Sequence, residues 1–274
     1  MKTRIITAFI GFLLAIAAIT LGGYVYDIVL TILALIGWNE ICRMFSNKHV
    51  RMPLRYGQGA IIVTMAALSL GWYALAGVAV GLSLLALWLR FTFSAHRVNL
   101  ADMTFSTFGL VYILVGMGSL LLIRSNTFMT TLTMPFEHEQ WAVITLWLLL
   151  FTTWASDTFA YFAGVAFGKH KIVPHISPNK TAEGYAGGFV GCVITGIVFA
   201  YLVGIPYSMG GTVGILAGVL APLGDLFESK LKRTCDVKDS GALLPGHGGV
   251  LDRFDSLFFT APAVLLYILV VFAS

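Results

Sequence analysis

Long apolar runs follow one another along almost the whole chain, and no other feature limits its fold as strongly. A helix crossing roughly 30 Å of hydrocarbon needs about 20 mostly apolar residues. Nine stretches approach that length: 5–22, 24–41, 59–75, 76–93, 105–123, 141–167, 185–204, 209–227 and 256–273. Lipid cannot satisfy backbone N–H and C=O groups, so each run reads as a helix that closes its own hydrogen bonds. Together the nine use most of the 274 residues and leave no room for a separate soluble domain. Only 11% of residues are charged, against about 25% in ordinary soluble domains, too few to cover a water-exposed surface. The expected class is an all-α polytopic membrane protein of about nine transmembrane helices.

Charge orients these helices. The first run follows Lys2 and Arg4, and Ala15, Ala17 and Ala18 resemble a signal cleavage site. A second run starts almost at once and no soluble region follows, so the first is read as a retained span. A cytoplasmic amino terminus places 16 of the 17 Lys and Arg residues on the inner side, leaving only Arg124 outside. The positive-inside rule therefore predicts the amino terminus in the cytoplasm and the carboxyl terminus outside. No concentrated basic tract points to nucleic acid. Cys42, Cys192 and Cys235 form no C-x-x-C pair, and two of them are placed on the reducing side, so disulfides are not expected.

Two regions differ in chemistry. Residues 1–140 read as a scaffold of transmembrane helices without a chemical motif. Asp27, Glu40 and Asp102 lie near predicted helix ends and read as interfacial charges, and Gly57 and Gly59 as part of a polar turn before the third helix. Residues 141–274 form the expected catalytic region, with cytoplasmic loops 168–184 and 228–255. Charges at membrane depth cost roughly 2.5–3.5 kcal/mol each on insertion scales, so acids that persist there line polar cavities. Asp157 is such an acid, with Tyr161 and Gly164 on its helical face. The following S-P-N-K-T turn joins a stiff Pro178 to the hydroxyls of Ser177 and Thr181 and the ammonium of Lys180, a combination suited to a polyphosphate. Thr181 is also placed to start the next helix, whose N–H groups favour anions.

The stretch GDLFESKLKRTCDVKDSGALLPGHGGVLDRFDS is richer. Asp225 stands near the inner end of one predicted helix, and Asp252 and Asp255 open the next at i and i+3, on one face. Clustered carboxylates repel unless a cation lies between them, and hard oxygen donors select Mg²⁺, which bridges carboxylates and phosphates. Lys230, Lys232, Arg233 and Lys238 supply positive charge, and the turn Pro245–Gly249 lets backbone N–H groups approach a phosphate. Together they describe a nucleoside triphosphate site. Walker A and dinucleotide-binding glycine patterns are absent from the sequence.

Ser229, Lys232, Arg233, Lys238, Asp239, Pro245, His247, Gly248, Gly249, Asp252, Arg253 and Asp255 together resemble the signature of the phosphatidate cytidylyltransferase, or CDP-diacylglycerol synthase, family. The S-P-N-K-T stretch and Asp157 also resemble family features. The resemblance implies an integral protein of a bacterial-type inner membrane, with its active site facing the cytoplasm. It implies transfer of the cytidylyl group of CTP to phosphatidic acid, giving CDP-diacylglycerol and pyrophosphate. On this reading Asp225, Asp252 and Asp255 hold Mg²⁺, with a second cation possible. Lys180, Lys232, Arg233 and Arg253 contact triphosphate or lipid phosphate, while Ser177, Thr181, Lys238, Asp239, His247, Gly248 and Gly249 help seat the substrates. Asp157 orients a lysine or a water, and a homodimer is implied. Two rivals remain: a CTP-dependent lipid kinase, which would release CDP, and a transporter whose buried acids bind cations.

Overall fold

The computed structural model describes residues 2–94, 97–132, 137–241 and 248–272, with side chains included except those of 2–10, 12, 138 and 139. Among the described residues the secondary structure is helical, apart from one isolated antiparallel bridge between Lys171 and Thr181. The helices are α1 (Lys2–Leu21), α2 (Gly23–Ser46), α3 (Leu54–Ser69), α4 (Tyr73–Phe93), α5 (Leu100–Arg124), α6 (Asn126–Met129), α7 (His138–Phe167), α8 (Ala182–Val203), α9 (Tyr207–Thr234), α10 (Leu251–Phe254) and α11 (Leu257–Phe272). Six helices are long and apolar enough to cross a membrane: α2, α4, α5, α8, α9 and most of α7. The chain is a polytopic membrane protein.

The helices fall into two compact units, Met1–Phe128 with Thr234–Arg253, and Met129–Arg233 with Phe254–Ser274. The first unit is built on α2. Trp38, Ile41 and Phe45 are fully buried there, with Ile61 and Met65 of α3 and Leu110, Ile113 and Met117 of α5. The Trp38 indole donates to the Leu54 carbonyl at 2.9 Å. It lies so close to Gly57 that a Cβ there would stand 2.2 Å from the ring. This packing moves the start of α3 back to Leu54, so Gly57 and Gly59 sit inside a helix rather than in the expected turn.

Polar residues of this unit do more than meet solvent. Asp102 is buried and forms a capping box with Asn99 at the start of α5, while its other bond takes the Arg51 backbone N–H at 2.7 Å. Arg124 is buried, with its guanidinium donating to the Ile19 carbonyl at 2.9 Å. Cationic donors suit a helix carboxyl end, where carbonyls lack intrahelical partners. Glu40 is buried as well. The expectation of interfacial charges therefore fails for Glu40 and Asp102, because tertiary neighbours supply the hydrogen bonds that water was expected to give.

In the second unit, small residues let helices meet backbone to backbone. Gly187 and Gly188 of α8 face Ala163, Ser156 and Ala160 of α7, so these residues serve packing within the chain. Between α8 and α9, a Cβ on Gly196 would lie 2.1 Å from the Gly210 carbonyl oxygen. Gly196→Val should therefore force the two helices apart and cost about 1–3 kcal/mol, as overpacked cores do. A lowered unfolding temperature of the detergent-purified protein, relative to Gly211→Ala, would register it.

Candidate active site

The second unit gathers four carboxylates and three lysines. Residues 168–181 form a clasp between α7 and α8. Ala182 N–H donates to the His170 carbonyl at 2.9 Å, and Ile172 N–H to the Lys180 carbonyl at 3.2 Å. Glu183, in the first turn of α8, accepts the backbone N–H groups of Lys169 and His170 at 3.0 and 3.2 Å. Thr181 is the N-cap of α8, its hydroxyl accepting the Gly184 N–H at 3.2 Å. The clasp thereby aims Lys180 at α9, where its ammonium pairs with Asp225. The Ser229 hydroxyl, one turn on, reaches the other Asp225 oxygen at 3.3 Å.

These groups edge a cavity of about 560 Å³. Its lining includes the polar Asp157, Lys171, Ser177, Asn179, Lys180 and Asp225 and the largely apolar Ala160, Tyr161, Val165 and Pro222. Asp157, Ser177, Lys180, Thr181 and Asp225 are therefore brought together as a group. Pro222 sits within α9, and its carbonyl accepts the Tyr185 hydroxyl at 3.3 Å.

α9 continues to Thr234, so Lys230, Lys232 and Arg233 stand on a helix instead of in the expected 228–255 loop. An i,i+4 pair between Lys232 and the fully buried Glu228, at 2.6 Å, supports this last stretch. The basic residues also suit the helix carboxyl end. Asp255 lies in the turn between α10 and α11, since α10 stops at Phe254; the single helical face expected for Asp252 and Asp255 is interrupted there. Its carboxylate accepts the Ser256 N–H at 2.6 Å. Burial, reinforced by the nearby Asp225 and Asp157 carboxylates and opposed by Lys232, pushes Asp255 up to about 7.

Asp252 belongs to the first unit, in the returning segment 234–253. One of its oxygens accepts the N–H groups of Ser240 at 2.9 Å and Gly249 at 2.8 Å, and also the Ser240 hydroxyl at 2.9 Å. Gly248 has a positive φ of 78°, which a side chain would strain. Arg233, Lys238, Asp239 and Arg253 are exposed. His247 lies outside the described residues.

A family model for the cytidylyltransferase family matches residues 2–271. The chain belongs to the cytidylyltransferase family. Similar proteins carrying the name phosphatidate cytidylyltransferase include one from Staphylococcus haemolyticus, 34% identical over 275 residues and 99% of either chain. Another, from Bacillus subtilis, is 30% identical over 279 residues, covering 100% of this chain and 99% of its own. Family likeness thus extends through the amino-terminal half, where the sequence offered no motif.

For a cytidylyltransferase the cluster's charge balance is informative. Asp157, Asp225, Glu228 and Asp255 gather with Lys180, Lys232 and Lys171, four carboxylates to three ammoniums when all are ionised. Among the described residues no group of three or more His, Cys, Asp or Glu is placed to enclose a metal. Carboxylate oxygens are the donors that hard cations take, and an ion such as Mg²⁺ draws on one or two of them and fills its shell with water and phosphate oxygens. Sequence reading missed Glu228, Asn179 and Lys171 at this site, and Glu40 and Ser240 beside Asp252. The i,i+4 spacing of Glu228 and Lys232 could have shown that pair, whereas nothing in the spacing of Glu40 and Ser240 places them beside Asp252.

The raised Asp255 group has a stability consequence. A carboxyl pushed upward resists ionisation, so in metal-free protein its penalty is absent in acid and grows as pH rises from about 4 to about 7. Asp255→Asn should flatten this fall in stability and raise the unfolding temperature near neutral pH. Thermal scans of metal-free protein across that window would measure both.

Proposed function

We propose that this chain transfers the cytidylyl group of CTP to phosphatidic acid, making CDP-diacylglycerol and releasing pyrophosphate. The observation that carries this reading is the full-length membership in the cytidylyltransferase family, joined to a cavity lined by both charged and apolar residues. CTP needs the charged residues. A diacylated substrate needs apolar surface continuous with lipid.

In the reaction, a phosphate oxygen of phosphatidic acid attacks the α-phosphorus of CTP in line. The new P–O bond joins the two phosphates as the bond to the β-phosphate breaks, and pyrophosphate leaves with the electron pair. The nucleophile is already anionic, so no strong base is required, and catalysis rests on positioning and charge neutralisation. Lys180 is held by Asp225 until a triphosphate competes for its ammonium, and Lys171, Ser177 and Asn179 offer further donors from the same cavity lining. Lys232, Arg233 and Arg253 add positive charge, with Thr181, Lys238, Asp239, His247, Gly248 and Gly249 helping to seat the substrates. Asp157 orients Lys180 or a water. Asp225, Asp252 and Asp255 are the proposed holders of Mg²⁺, which when bound supplies charge stabilisation at the phosphates, and a second ion would serve both attacking and leaving oxygens. With Asp225 given over to such an ion, Lys180 would be available to the phosphates.

Nine spans, with the amino terminus and the active site in the cytoplasm and the carboxyl terminus outside, complete the proposal. Its support is the distribution of Lys and Arg. A homodimer, implied by family resemblance, would use surfaces other than the α7-facing glycines.

Detergent-purified protein given labelled CTP, phosphatidic acid and Mg²⁺ should yield CDP-diacylglycerol and pyrophosphate in equal amounts, with turnover lost when Mg²⁺ is withheld. CDP with a newly phosphorylated lipid would instead identify a kinase. Asp225→Asn should lower kcat by at least about 100-fold, the scale of losing a main electrostatic group. For topology, a cysteine placed at Ser274 should react with an impermeant maleimide from outside intact cells; reaction only after permeabilisation would reverse the orientation.

A further inference from the structure

Glu40 is a buried acid on α2 with no place in the chemistry so far, yet it meets the segment that carries Asp252. Its side chain accepts the N–H groups of Val250 at 2.9 Å and Leu251 at 3.0 Å, and the Ser240 hydroxyl at 3.0 Å. These partners flank both ends of the signature turn, and they lie 200 or more residues away in sequence. The Ser240 hydroxyl also lies 2.9 Å from Asp252, so one hydroxyl stands between the two carboxylates. The fit is tight: a Cβ on Gly249 would lie 2.4 Å from either Glu40 oxygen, and one on Gly241 2.5 Å from the nearer.

We infer that Glu40 is a positioning residue for cytidylyl transfer, fixing the backbone at Val250 and Leu251 and, through the Ser240 hydroxyl, the orientation of Asp252. Two backbone N–H groups, and a hydroxyl whose single proton is shared with Asp252, converge on a carboxylate that can only accept, so the arrangement is set by charge-assisted bonds in a dry setting. Glutamine keeps the size of the side chain but replaces one acceptor with an NH₂ group. Each Glu40 oxygen accepts a backbone N–H, so that group would confront one of them, donor against donor, in either orientation. Residues that orient a functional carboxylate typically change activity by about 10–100-fold when removed. This inference rests on the cytidylyltransferase reading above.

The test compares wild type, Glu40→Gln and Leu121→Ala, the last a truncation in the buried face of α5 away from the turn. For each, kcat and KM for CTP and phosphatidic acid are measured well below the unfolding temperature. Amide hydrogen exchange is followed in the peptide containing Val250 and Leu251. Glu40→Gln should lower kcat by about 10–100-fold with little change in KM for phosphatidic acid, and should speed exchange in that peptide. Leu121→Ala should lower the unfolding temperature without either effect. Faster exchange with unchanged kcat would make Glu40 merely structural, and unchanged exchange would remove the anchor altogether. An equal kcat loss in Leu121→Ala would assign the effect to general destabilisation; each of these results overturns the inference. If Glu40→Gln is not recovered folded, Ser240→Ala takes its place with the same readouts. Wild type that makes no CDP-diacylglycerol would refute the assigned reaction, whereas exchange would still decide whether Glu40 holds the turn.

Discussion

A polar group carried into an apolar setting must bring its partner or find one, and much of this structure follows from that requirement. The helices satisfy their own backbones. What remains are helix ends and charged side chains, and these are paired with one another. Arg124 donates to the Ile19 carbonyl near the end of α1, Asn99 caps α5 with Asp102 completing the box and accepting the Arg51 N–H, and Thr181 caps α8. Glu40 takes the backbone of a segment more than 200 residues away. The same requirement that permits few charges gives several of them structural duties.

The carboxylates around Lys180 stand apart from this economy. Lys180 answers Asp225 and Lys232 answers Glu228, but Asp255 is pushed up to about 7 by burial and by its acidic neighbours. Such unrelieved repulsion lowers stability and is characteristic of sites that wait for a ligand. A polyphosphate arriving with a divalent cation would relieve it from both directions, since the cation answers the carboxylates and the lysines answer the phosphate. Stability and catalysis therefore make opposite demands on Asp255.

The mixed lining of the cavity suits the meeting of unlike substrates. Its charged residues come from the clasp before α8 and from α9, while α7 contributes both Asp157 and apolar surface such as Val165. Lys180 occupies its position because Thr181 ends the clasp as a helix cap, with the Lys171–Thr181 bridge fixing the loop just before it. A short motif thus acquires its geometry from local backbone bonds, with little help from distant parts of the chain.

Much of this was legible in the sequence because its causes are local. Apolar runs of membrane length specify helices, and each expected run overlaps a helix found, although six meet the length and apolarity of a span. The S-P-N-K-T stretch announced a capped anion-friendly turn, and the signature from Ser229 to Asp255 pointed to the family. Other features depend on contacts between segments far apart in sequence. The start of α3 moved because Trp38 packs on Gly57. Glu40 looked like an interfacial charge because the segment that buries it lies at the other end of the chain. Sequence alone determined which stretches are helical and to which family the chain belongs, since periodicity, capping and motif are written in neighbouring positions. Tertiary structure decided which charges are buried and what each one holds, because a buried charge is set by the groups that converge on it in space.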